Sequence, residues 1–141
     1  MPEIQIGLSI YKQSITYIKE SIESCVNQKG VSFELTIRID GPGGCCAESL
    51  EWISEMCSKH KHLSLLVGKE RLGNFASLKI IFSKSKSKYL CQVDADDVLA
   101  PNALDIALNE IKKYPNASMI YSDCIEIDSN GTPMCLGHRS K

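Results

Sequence analysis

From Ile4 to Ile10 the chain alternates, with Ile4, Ile6, Leu8 and Ile10 apolar and polar or small residues between them. A period of two predicts a first strand here. Ser14 then stands where a helix N-cap belongs, ahead of Ile15, Ile18, Ile22, Cys25 and Val26 on one stripe. That helix is expected to close near Gly30. Phe33, Leu35, Ile37 and Ile39 alternate again and predict a second strand ending at Asp40. Gly41-Pro42-Gly43-Gly44 is a loop by composition. Leu50, Ile53 and Cys57 keep helical spacing, His62 to Val67 reads as a third strand, and Phe75, Leu78 and Phe82 suit a third helix. That helix is expected to end in the run Lys84-Ser85-Lys86-Ser87-Lys88, whose cations suit the dipole of a solvated helix end.

A short apolar run from Tyr89 to Val93 predicts a fourth strand, and it ends abruptly in Asp94-Ala95-Asp96-Asp97. Pro101 is placed in the first turn of a helix carrying Leu104, Ala107, Leu108 and Ile111, which stops before Pro115. Ser118 to Tyr121 reads as a further strand, and Ile125-Glu126-Ile127 as a strand entering a hairpin turn at Asn130-Gly131. Four alternations of strand and helix predict an α/β fold, with a mostly parallel sheet and helices on both faces. The 141 residues read as a single domain without internal repeats.

The three acids change the picture. At ~4 Å each pair repels by roughly 1 to 4 kcal/mol depending on screening, and a divalent cation turns that repulsion into binding. In an extended segment Asp94 and Asp96 point the same way, ~6.6 Å apart, with Asp97 opposite. The end of a strand in an open α/β sheet is also where ligands bind.

Composition narrows the classes. The content is 43% hydrophobic and 23% charged, as in a soluble globular chain, and a net charge of −1 gives no basic face for nucleic acid. The start has no signal-peptide pattern, and no apolar run approaches the ~20 residues of a membrane span. Seven cysteines form an odd number with no C-x-x-C, which reads as reduced thiols in the cytosol. Cys45 and Cys46 with His60 or His62 lack zinc spacing. His60, His62 and His138 are taken as surface residues and Trp52 as a partly buried helix residue.

Together the motifs Leu8-Ser9-Ile10-Tyr11, Ile22 through Gln28, Phe33 through Asp40-Gly41, Arg71-Leu72-Gly73-Asn74, Val93 through Leu99 and Ile120-Tyr121-Ser122-Asp123 carry a resemblance. In order and spacing the chain resembles the nucleotide-binding part of a family 2 glycosyltransferase with the GT-A fold. The resemblance implies a site for a nucleotide-diphosphate sugar, UDP being the usual nucleotide, with dTDP and GDP open. Ser9 and Tyr11 would lie by the nucleoside, and Asp40 would accept a hydrogen bond from the base. Asp94 would face the ribose or sugar side, and Asp96 would ligate Mn²⁺ or Mg²⁺ on the diphosphate, with Asp94 and Asp97 as further metal candidates. Oxygen ligands suit such hard cations.

By the same resemblance the sugar passes to a glycan or lipid-linked acceptor hydroxyl with inversion, for a cell-surface or secreted glycan. The acceptor-binding half and the general base are expected beyond Lys141. The protein is expected in the cytoplasm, at most peripheral at the inner membrane surface. One departure is plain: where family members carry Arg-Asn, this chain has Leu78 and Lys79.

Other readings stay open. Asp40 reads equally well as a turn residue before Gly41. Asp94 through Val98 also fits D-x-D-x-[TV], the pattern of haloacid-dehalogenase-like phosphatases, with Asp94 as nucleophile. That motif belongs on a first strand, and here three strand-helix units precede it. A non-catalytic nucleotide-sugar-binding module is the third alternative.

Overall fold

The computed structural model describes residues 1–137, so His138 lies outside the described residues. Two compact units make up the chain, Met1–Asp105 and Ile106–Lys141. The first holds β1 (Ile4–Ile10), α1 (Ile15–Val26), β2 (Phe33–Ile39), α2 (Ala47–Lys59), β3 (Leu63–Val67), α3 (Asn74–Phe82) and β4 (Tyr89–Asp94). Its four strands are all parallel, in the order β3-β2-β1-β4.

β1 is an inner strand and is covered on both faces. Ile4, Ile6, Leu8 and Ile10 share one core with Ile18, Ile22 and Cys25 of α1 and Ile53 of α2. Burying each such side chain stabilises by about 1.5 to 3 kcal/mol. Residues of the other parity point to the opposite face, which α3 covers. A Cβ on Gly7 would stand 2.7 Å from Phe82 Cζ and 3.2 Å from Leu78 Cδ2, so the glycine lets α3 lie close on the sheet. The same packing explains Leu78 at the position of departure: it is a buried core residue.

The chain steps from β1 outward through β2 to β3 and then returns to pair β4 with the other side of β1. The side of β1 on which strands are added therefore switches between β2 and β4, while all the strands stay parallel. The Ser9–Asp94 pair lies at that switch point, at the C-terminal ends of both strands.

The boundary between the units falls inside α4 (Ala103–Lys113). The second unit contains an antiparallel hairpin, β5 (Cys124–Ile127) and β6 (Pro133–Gly137). Its turn closes on Asp128, whose carboxylate accepts from the amides of Asn130 at 2.8 Å and Thr132 at 2.9 Å.

Several boundaries differ from the sequence reading. Ser14 caps α1 as expected, its Oγ accepting from the Tyr17 amide, but the helix ends at Val26 and Gln28 turns inward. α3 ends at Phe82, so the lysine run is an irregular link to β4 and not a helix end. α4 begins at Ala103, two residues after Pro101. Ser118 to Tyr121 is not a strand; Met119 and Tyr121 are exposed, and none of the described strands pairs with the segment. Short alternation supplies no ladder partner by itself. His62 is half-buried and packs edge-on to Phe33, while Trp52 packs against the core as expected. All seven cysteines are free. Among the described residues no helix is long and apolar enough to cross a membrane.

Candidate functional site

The C-terminal ends of β1, β2 and β4 surround a cavity of about 370 Å³. Ser9, Tyr11, Asp40, Asp94 and Asp96 all border it, so five residues from three strand ends meet there. Asp97 is not among the lining residues, although it is exposed like Asp96.

Tyr11 follows β1 directly. Its amide donates to Gln13 Oε1 at 2.8 Å, and Lys12, at φ 66°, donates its amide to the Gly44 carbonyl at 2.6 Å. A non-glycine residue at positive φ costs of order 1 kcal/mol or more and persists only where the surroundings fix it. The Arg71 guanidinium lies 4.0 Å from the Tyr11 ring centroid, a cation–π stack at the cavity wall.

Asp40 is almost fully buried. Its Oδ1 accepts from Arg38 Nη1 at 2.6 Å, Ser77 Oγ at 3.0 Å and the Leu72 amide at 2.9 Å, and Oδ2 accepts from the Gly73 amide at 2.8 Å. Burial pushes this carboxyl up, but the Leu72 and Gly73 amides, the Arg38 guanidinium and the Ser77 hydroxyl outweigh it and hold the pKa at about 2. Asp40 thereby ties the 71–73 loop to the end of β2. Gly41 makes that approach feasible: its φ is +88°, and a Cβ there would lie 2.5 Å from the Arg71 nitrogen.

The acidic stretch is a turn, which corrects the extended geometry expected from the sequence. β4 ends at Asp94, and the Asp97 amide donates to the Asp94 carbonyl at 3.0 Å. The same-side alternation of an extended strand therefore does not apply to Asp94 and Asp96, although both still border the cavity. Asp94 Oδ1 accepts from Gln92 Nε2 at 3.1 Å and Asn74 Nδ2 at 3.4 Å, while the Asp96 side chain is exposed. Among the described residues, no three or more His, Cys, Asp or Glu side chains are grouped to hold a metal ion. Of the three carboxylates on the cavity, Asp94 and Asp96 are tied to no cationic side chain among the described residues, and they offer the one or two oxygens that hard cations take when phosphates and water complete the shell.

A family model, Glycosyl transferase family 2, matches residues 6–134. The chain belongs to glycosyltransferase family 2. An uncharacterized glycosyltransferase of Methanocaldococcus jannaschii is 29% identical over 130 residues, covering 92% of this chain and 44% of that protein. The chondroitin synthase of Pasteurella multocida is 25% identical over 138 residues, 98% of this chain and 14% of the synthase. This chain thus spans less than half the length of either relative.

Among solved structures, S. aureus TarS in complex with UDP superposes with a TM-score of 0.67 at 19% identity, over 80% of this chain and 33% of that one. The mannosyltransferase PcManGT of Pyrobaculum calidifontis, in complex with GDP-Man and Mn²⁺, gives 0.67 at 16% identity, over 78% and 32%. These likenesses agree with the α/β fold expected of the family, GT-A-like with a parallel sheet flanked by helices. The phosphatase pattern, by contrast, needs its acids on the first strand, and here they follow β4.

Five residues of this family 2 cavity were given no role from the sequence: Gln13, Arg71, Gly73, Asn74 and Ala95. Arg71 and Asn74 stood inside a quoted motif, so a signal existed. What it lacked was the Arg71–Tyr11 stack and the Asn74–Asp94 contact, which only the folded chain brings together.

Proposed function

We propose that this chain is the donor-binding part of a glycosyltransferase that takes a nucleotide-diphosphate sugar, a UDP-sugar before dTDP or GDP alternatives. The observation that carries the reading is the convergence of Ser9, Tyr11, Asp40, Asp94 and Asp96 on one cavity in a family 2 chain. Similarly folded neighbours in complex with UDP, UDP-GlcNAc and GDP-Man support the same donor class.

In this reading Tyr11 and Ser9 take the nucleoside, and Asp40 Oδ2 has a lone pair left for the base beyond its bond to Gly73. Asp94 faces the sugar side. Asp96 would hold Mn²⁺ or Mg²⁺ on the diphosphate, with Asp94 on the same cavity as the next candidate, whereas Asp97, which does not line the cavity, could act only as an outer partner. When bound, the cation neutralises charge on the departing diphosphate. In the complete enzyme the acceptor oxygen bonds to the anomeric carbon as the carbon–diphosphate bond breaks, with inversion. A general base, assigned to no residue of this chain, takes the acceptor proton. The acceptor is a glycan or lipid-linked hydroxyl in cell-surface or secreted glycan synthesis, and the protein works in the cytoplasm with at most peripheral membrane contact.

Calorimetric titration of UDP with Mn²⁺, with chelator, and with Asp96→Asn tests the reading. Metal-dependent binding that Asp96→Asn abolishes is the expected result. A folded chain that binds neither UDP, dTDP nor GDP in any metal would overturn it.

A further inference from the structure

The segment from Ala95 to Asn102 carries the acidic turn, yet it lies in neither strand nor helix. Its backbone groups, and those at its edges, are held instead by one face of α1 and by Gln28, two residues past its end. Ser21, fully buried, donates its Oγ to the Asp94 carbonyl at 3.0 Å. Ser24 Oγ accepts from the Leu99 amide at 3.0 Å and donates to the Ser21 carbonyl at 2.7 Å. Gln28, 7% exposed, donates from Nε2 to the carbonyls of Ala100 at 2.8 Å and Ser24 at 3.1 Å. Its Oε1 accepts from the Leu104 amide at 3.1 Å.

Spacings of three and four residues stack these side chains on one side. They fall on both sides of Asp96, one bond before the turn and three after it. A turn pinned at one end only keeps its own i to i+3 bond but can swing as a unit. Pinned at both ends, it has one orientation.

We propose that Ser21, Ser24 and Gln28 are positioning residues that fix the acidic turn so that the Asp94 and Asp96 carboxylates meet a divalent cation and diphosphate in the cavity. The proposal rests on the donor-site reading above. Groups that orient metal-binding carboxylates without touching the ligand change metal affinity by roughly ten- to a hundred-fold when removed.

The test uses Ser24→Ala, which removes the acceptor of the Leu99 amide, Ser24→Thr, which keeps a hydroxyl, and Gln28→Met, which keeps the length without the bonds. Two readouts are taken: amide exchange at Leu99 and Leu104 without nucleotide, and the UDP dissociation constant in Mn²⁺ and in chelator. The expected result is faster exchange at the freed amide and UDP affinity in Mn²⁺ lower by roughly ten-fold or more, with affinity in chelator unchanged. Ser24→Thr should restore both.

Unchanged Mn²⁺-dependent affinity in Ser24→Ala would overturn the positioning role while leaving the donor site standing, as would an equal fall with and without metal. A wild-type chain with no Mn²⁺-dependent binding would overturn both readings. Should Gln28→Met not fold, the two Ser24 variants decide alone.

Discussion

Asp40→Asn is the substitution with the largest consequence that can be worked from the structure. Arg38 is 4% exposed and Asp40 1% exposed, so the pair at 2.6 Å is buried. Asparagine removes the negative charge, leaves the guanidinium uncompensated, and sets an NH₂ group against either the donors at Oδ1 or the Gly73 amide at Oδ2. Breaking a buried pair by removing one partner costs about 3 to 5 kcal/mol. The carboxyl itself gives a second figure. It titrates at about 2 in place of 3.8, which at 1.36 kcal/mol per pH unit is on the order of 2 kcal/mol. Because the folded pKa is depressed, that contribution is complete above the ordinary carboxylate range and is lost as pH falls through about 2. Urea unfolding at neutral pH should therefore show Asp40→Asn less stable by about 3 kcal/mol, or on the order of 10 °C in Tm. The gap to wild type should narrow as the pH is lowered from about 4 to 2. Equal stability at neutral pH, or a gap that does not change on acidification, would refute the assignment of Asp40 as an ionised brace.

Gly7→Ala should destabilise by about 1 to 3 kcal/mol, because its Cβ meets the Phe82 ring at 2.7 Å. Thermal melts check this, and a smaller side chain at Phe82 should recover part of the loss. Among the thiols, exposed Cys46 should alkylate first near pH 8: the Ser49 hydroxyl and amide bond its sulfur and lower its pKa. Cys25, pushed to about 12 by burial first and by Cys91 next against a Ser24 hydrogen bond, and Cys91, pushed to about 11 by burial, should react last. Mass mapping of partly modified protein gives the order, and early labelling of Cys25 would contradict it.

How much of this was legible in the sequence follows from what each residue reports locally. Ile4 to Ile10 announced β1 because one parity of the strand buries against one core, and Ser14 announced its helix because a cap is a local event. The acidic run was legible because an apolar strand rarely ends in three acids. The brace was not. Arg38 alternates with Leu35, Ile37 and Ile39, so periodicity assigns it to a solvated face; α3 covers that face and brings Ser77 to it, a contact 39 residues away along the chain. Ser21, Ser24 and Gln28 look in sequence like a wet stripe of α1, and their partners lie more than 70 residues away. The turn at Asp94 escaped for the opposite reason, since extended geometry was assumed past the last strand residue.

The carboxylates at the cavity divide by the donors the protein gives them. Asp40 receives an internal guanidinium, a hydroxyl and two amides, so most of its capacity is committed to the fold. Asp94 receives two neutral side-chain amides on one oxygen, and Asp96 is exposed at the cavity. A cation in the cavity would displace only weak neutral donors at Asp94, whereas recruiting Asp40 would break a buried ion pair. Besides bordering the cavity itself, Asp40 shapes it through the chain it holds: its two amide bonds fix Leu72 and Gly73, and Arg71 beside them stacks on Tyr11. Loss of the brace should therefore disturb the aromatic wall without removing a single group from it. The same residue type serves as strut at one strand end and as candidate ligand at another, and the neighbouring donors decide which.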